Sequence, residues 1–203
     1  MTAIATSDTR LSEFASLCAD VRACNACGGV AYTHLLGPAN GPLDARVLFV
    51  AEAPGRGGGA LTGVPLTRDA SGRRFETFLA LAGLRRDKVF VTNAVLCNPI
   101  TATATNRPPT SREIARCRPY LERTLDLVPA PIVVALGRVA LESLRAITPH
   151  DADLPRDVCT PTSWRNRTLI PLYHPGRQST LHRPHEAQEA DWRALASVIA
   201  NHS

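Results

Sequence analysis

Lysine is almost missing from this sequence. Lys88 is the only one among 23 basic residues, so nearly all positive charge sits on guanidinium groups. The chain also lacks any run of 18 apolar residues, which excludes an ordinary transmembrane helix. Met1 to Arg10 is polar and has no apolar core of the kind a signal peptide needs, so a cytoplasmic protein is expected. A dinucleotide GxGxxG fingerprint and the Gly-Lys-Ser/Thr of a P-loop are both absent. There is no internal repeat, low-complexity tract or linker.

What is present suits one domain over residues 1–203, with 44% hydrophobic residues to fill a core without disulfides. The net charge of +5 is arginine-rich, and guanidinium groups suit planar contact with phosphate. A solvated basic surface accounts for the charge equally well. Val47 to Ala51, Val89 to Val95, Ile132 to Leu136 and Thr168 to Leu172 read as buried strands. Pro171 points to an edge position for the last of them. Helices are expected at about 10–23, 72–83, 110–127, 137–147 and 185–200, with residues 148–166 as loop. Alternation of strands and helices predicts an α/β fold: a three-layer α/β/α sandwich around a mainly parallel four-stranded sheet. Ligands of such folds bind at the carboxyl ends of the strands, where the unusual loops 52–72, 97–109 and 173–180 begin.

Cys24-x2-Cys27 has the spacing that clasps a metal centre, and Cys97 and Cys117 complete a set of four. Four thiolates match structural zinc or a [4Fe–4S] cluster, and spacing alone does not choose between them. Free cysteines acting as small hydrophobes are the alternative. Cys18 and Cys159 are read as unligated.

Several strings resemble the uracil-DNA glycosylase superfamily. Val50-Ala51-Glu52-Ala53-Pro54-Gly55 looks like its first motif, and Tyr173-His174-Pro175-Gly176-Arg177-Gln178 like its second. Thr92-Asn93-Ala94-Val95-Leu96-Cys97, Asn106-Arg107-Pro108-Pro109, Cys117-Arg118-Pro119-Tyr120-Leu121 and Ala135-Leu136-Gly137-Arg138-Val139-Ala140 are similar to its iron–sulfur members. Glu52 and Thr92-Asn93 resemble family 4, whereas Thr62 to Gly72 and His-Pro-Gly-Arg-Gln look more like family 5. The resemblance implies a [4Fe–4S] cluster on Cys24, Cys27, Cys97 and Cys117. It also implies a DNA partner bearing uracil or other deaminated bases, no membrane, and a monomer associated with the nucleoid. Leu66 stands where related enzymes hold an aromatic residue, so the base floor gains dispersion but no ring stacking.

The chemistry implied is hydrolysis of an N-glycosidic bond on a base flipped out of the stack. Glu52 is the first candidate to serve the water, and Asp69 the competing one, with a helix N-cap as its bland role. Asn93 could read the uracil edge. His174 could donate to the base carbonyl as charge builds there, and neutral imidazole suffices for that. Ala53 to Gly59, Gly55 among them, should offer backbone N–H groups. Arg177 and Gln178 are candidates for the gap left by the flipped base. Arg56, Arg107 and Arg138 are candidates for phosphate contact. Two other classes compete: a non-cutting damage-binding module, which does not need Glu52 or His174, and a redox or nucleotide-metabolising α/β protein.

Overall fold

The computed structural model describes residues 7–201, so part of the polar N-terminal stretch, residues 1–6, lies outside them. In chain order the elements are α1 (Ser7–Ala23), β1 (Val30–Ala31), β2 (Val47–Ala51), α2 (Gly59–Thr62), α3 (Ala70–Leu81), β3 (Val89–Asn93) and β4 (Asn98–Pro99). Then follow α4 (Ser111–Leu127), β5 (Ile132–Leu136), α5 (Arg138–Arg145), β6 (Thr162–Trp164), β7 (Arg167–Leu172) and α6 (His185–Ala200).

The main sheet has five strands in the order β3-β2-β5-β7-β6, one more than expected. The first four are parallel; β6 is an antiparallel edge strand drawn from the stretch expected to be loop. It is short and carries Pro161 just before it, so it shows no period-2 pattern long enough to read. Pro171 therefore lies in an internal strand, not an edge one. β6 pairs only as far as Leu169, and the Pro171 carbonyl faces outward to the Cys159 N–H at 2.8 Å. The missing proline N–H falls on that same unpaired side, so no ladder bond is lost.

Successive residues of a strand point to opposite faces, and helices cover both. Leu48, Val50, Phe90, Val133, Ala135 and Leu169 meet α1, α4 and α5 on one face. Val47, Phe49, Ala51, Val91, Val134 and Ile170 meet α3 and α6 on the other. Burial on both faces is why these strands read as unbroken apolar runs. The second core centres on Trp192, stacked on Phe49 at 5.5 Å with Phe75 edge-on at 5.8 Å.

Two helix starts follow from capping chemistry. Thr110 and Glu113 form a reciprocal capping box at α4. Asp69 Oδ1 accepts from Gly72 N at 2.8 Å, so α3 begins at Ala70, two residues before the expected start. β1 and β4 make a separate two-stranded ribbon pairing Ala31 with Asn98.

Candidate active site

β2 and β5 are neighbours, yet the chain leaves them in opposite directions. β2 leads through α3 to β3 on one side, and β5 through α5 to β7 on the other. The carboxyl ends of such a pair bound a crevice where open α/β sheets take their ligands. Glu52 follows the last residue of β2, and Gly137 follows the last residue of β5.

The Glu52 side chain is half-buried and meets no hydrogen-bond partner among the described residues. Burial pushes its carboxyl above the ordinary glutamate range. Its backbone is anchored, because Glu52 O accepts from Val95 N at 3.0 Å. The loop beyond it is closed by Gly58 N and Ala60 N, which both donate to Gly55 O, at 3.0 and 3.1 Å. Among the described residues the N–H groups of Ala53, Gly55 and Gly57 find no acceptor, so the expected array of free donors lies beside Glu52.

Asp69 packs against this loop. A Cβ added at Gly58 would lie 2.4 Å from Asp69 Oδ2, and one added at Gly55 would lie 2.9 Å from it. One carboxylate oxygen thus caps α3 while the other faces the glycines.

His174 stands two residues past β7 and leans back over the end of β5. A Cβ on Gly137, whose φ is +90°, would lie 3.2 Å from His174 Cβ. Its Nδ1 passes 2.8 Å from where a Cβ on Gly176 would be. Glycine at both places leaves room for the His174 side chain to approach this closely. Desolvation pulls the His174 pKa down to about 4, against the opposing pull of the Asp69 charge. The ring is therefore neutral at physiological pH.

Asn93 pairs in register with Ala51, so it ends β3 directly beside the start of the Glu52 loop. It is 2% exposed and its Nδ2 has no partner among the described residues. An unmet buried donor costs about 1–3 kcal/mol, a debt a bound base or water would relieve. Thr92 Oγ1 and Asn98 Oδ1 are buried and unmet in the same stretch. Leu66 takes a left-handed backbone, φ +48°, and packs against the Phe75–Trp192 core.

The five surface candidates divide. Arg138, which follows Gly137, and Arg177 and Gln178, which follow Gly176, are exposed. Arg56 is exposed too, with Nη1 donating to Ala104 O at 3.1 Å. Arg107 is different. All five of its donors are spent inside the protein, on Ile100 O, Pro108 O, Gly29 O and both oxygens of Glu113. With all five N–H groups engaged, Arg107 braces the protein here, and a phosphate would have to displace one of these acceptors. The pair holds the Glu113 carboxyl down at about 2.

Sequence reasoning passed over three side chains that shape the site. Arg74 Nη1 donates to Gly176 O at 3.2 Å and so fixes the turn after His174. Asn98 and Asn106 reach across to the Glu52 loop. Asn98 and Asn106 lie in a proline-rich stretch without periodicity, and Arg74 reads as an ordinary helix arginine, so only the tertiary contacts reveal them.

None of the six cysteines is in a disulfide. Cys97 and Cys117 lie within electrostatic reach of Cys24 and Cys27, so the four predicted ligands gather from three chain segments. Burial pushes the Cys117 thiol up to about 11. The Tyr120 hydroxyl bonds to Cys24, which raises it to about 12. His34 Nε2 lies 2.8 Å from Cys24 O, and Arg116 and Tyr32 hold the carbonyls of Ala26 and Cys27. Among the described residues no group of three or more His, Cys, Asp or Glu closes tightly enough to grip one metal ion. Cys18 is buried in the α1 face of the core, and Cys159 Sγ donates to Asp191 O at 3.3 Å.

Fold and crevice together define a three-layer α/β protein with a desolvated carboxylate and a neutral imidazole at its switch point. A family model described as the uracil DNA glycosylase superfamily matches residues 38–196, and the chain belongs to that superfamily. It is 32% identical to a type-4 uracil-DNA glycosylase of Archaeoglobus fulgidus over 168 residues, 79% of this chain and 80% of that one. Against a type-4 uracil-DNA glycosylase of Thermotoga maritima it is 32% identical over 136 residues, 66% of this chain and 67% of the relative. It is 34% identical to a type-5 uracil-DNA glycosylase of Thermus thermophilus over 165 residues, 70% of each chain. Both branches seen in the motifs are thus among its relatives. No helix of the described residues is long and apolar enough to cross a membrane.

Proposed function

We propose that the chain is a DNA-repair glycosylase that hydrolyses the N-glycosidic bond of uracil, and of related deaminated bases, in DNA. The observation that carries this is the partner-free, desolvated Glu52 carboxyl at the crevice, with neutral His174 leaning over the neighbouring strand end. A module that only binds damage has no use for either.

In this reading Glu52 holds and deprotonates the attacking water and offsets positive charge on the sugar. His174 donates a hydrogen bond to the base carbonyl where anionic charge collects. The open Asn93 Nδ2 reads the base edge, and the free N–H groups of the Gly55 loop hold a base carbonyl or a phosphate oxygen. Asp69 supports the site by capping α3 and by its charge toward His174. Arg177 and Gln178 fill the gap in the stack, while Arg56 and Arg138 meet phosphates. The leaving base departs with no covalent enzyme intermediate, which makes the enzyme monofunctional, and one chain suffices as the working unit.

Cys24, Cys27, Cys97 and Cys117 would hold a [4Fe–4S] cluster. An all-thiol set drawn from three segments fits it in donor chemistry, since such clusters are held by cysteine thiolates. When bound, the cluster supplies a cross-link between the α1–β1 turn, the β3–β4 loop and α4. Purified protein should be brown, absorb near 400 nm and carry about four irons per chain; a colourless protein with one zinc refutes the cluster.

The activity test is a panel of oligonucleotides, each with one damaged base, assayed for strand breakage after alkali. Uracil-containing strands should break. Tight binding without base release would instead support the damage-binding reading.

A further inference from the structure

The loop that follows Glu52 is gripped from outside by two amides. Asn98 is 1% exposed, and its Nδ2 donates to Pro54 O at 2.6 Å and to Asn106 Oδ1 at 3.1 Å. Asn106 Oδ1 accepts a second bond, from Arg56 N at 3.1 Å. The two amides therefore hold the backbone on both sides of Gly55, and Pro54 is only two residues from Glu52.

Both amides sit on braced supports. Asn98 pairs with Ala31 across the β1–β4 ribbon, and the residue before Cys97 is held as well, since Leu96 O accepts from Leu35 N at 2.8 Å and from Thr33 Oγ1 at 3.1 Å. Asn106 bridges to Ile100, and the next residue is the five-bonded Arg107. Inside the turn, Thr101 Oγ1 and Thr105 Oγ1 bond at 2.7 Å. This is more reinforcement than an ordinary surface connection of ten residues requires. Its effect is to deliver two carboxamides at fixed positions to one loop. Glu52 by contrast has no side-chain bond to orient it, so its aim depends on its backbone.

We propose that Asn98 and Asn106 are positioning residues for the hydrolytic step: they set the Pro54–Arg56 backbone and through it the direction of the Glu52 carboxyl. This rests on Glu52 serving the water. A displacement of about 1 Å at a reacting group can cost on the order of a hundredfold in rate, so loss of the clamp should fall on kcat rather than on DNA binding.

The test uses the full chain, with single-turnover cleavage of a uracil oligonucleotide, KM for the same strand, and thermal melting as the folding control. Asn98→Ala should lower kcat about a hundredfold with KM changed less than about threefold. Asn106→Leu should do the same, whereas Asn106→Asp, which keeps the accepting oxygen for both N–H groups, should stay within about threefold of the parent. In a Glu52→Gln background, Asn98→Ala should cost almost nothing more, because residues acting through one group are not additive. A slow Glu52→Gln enzyme with fast Asn98→Ala and Asn106→Leu variants overturns the clamp alone. So does a full hundredfold loss repeated in the Glu52→Gln background, or an Asn106→Asp enzyme as slow as Asn106→Leu. A fast Glu52→Gln enzyme overturns the assignment of Glu52 and the clamp with it.

Discussion

In the proposed mechanism Glu52 and His174 divide the labour, and burial acts on them in opposite senses. Desolvation disfavours the charged form of each, so it raises the carboxyl and lowers the imidazole. A base must be ionised to work. Activity should therefore fall as pH drops through the Glu52 ionisation, at a pH above the ordinary carboxylate range. His174 titrates near 4 and stays neutral above that, so it adds no second limb between pH 5 and 8. Glu52→Gln should lower kcat by about a hundredfold to ten-thousandfold, abolish the acidic limb and leave oligonucleotide binding within a few fold. If Asp69→Asn has that signature and Glu52→Gln does not, Asp69 is the base. A pH–rate profile of the three proteins decides it.

The turns and helix starts that carry these groups have their own signatures. Gly176→Ala puts a methyl 2.8 Å from His174 Nδ1, so the ring must swing away. The expected result is a loss of about tenfold or more in kcat with a melting temperature nearly that of the parent, read by kinetics and calorimetry together. At the start of α4, Arg107 and Glu113 are a bracing pair. Arg107→Ala strands a carboxylate whose side chain is 6% exposed, and should cost about 2–4 kcal/mol by urea denaturation. The pH sign follows from the depressed Glu113 carboxyl. Its stabilisation is fully present above about 4.5 and is lost as pH falls toward about 2, so acid should erase the difference between Arg107→Ala and its parent.

For the molecule as a whole, charge and shape act together. With Lys88 alone among lysines, phosphate contact rests on arginine, and DNA binding should weaken steeply as salt rises. Arg138→Ala should reduce the salt slope by about 1, whereas Arg107→Ala should leave it unchanged because that guanidinium is already saturated. Equal slopes for the two variants would contradict this division. Titration of binding against salt concentration measures it.

Much of this was legible in the residues themselves. Four parallel strands, both helix layers, the capping of α4, the placing of Asn93 at a strand end and that of Glu52 and His174 just past strands all follow from local pattern, because burial on both faces leaves unbroken apolar runs and a cap needs only neighbours. The edge strand β6 and the internal position of Pro171 did not, since which side of a strand is unpaired depends on its neighbours in space. The same holds for the spent donors of Arg107, the glycines that admit His174 and the amide clamp of Asn98 and Asn106. An arginine reads alike in sequence whether its five N–H groups face solvent or carbonyls. The chemistry was thus inscribed in residue types and their order along the chain, while aim, saturation and close approach are distances between segments far apart in sequence, and only folding sets those.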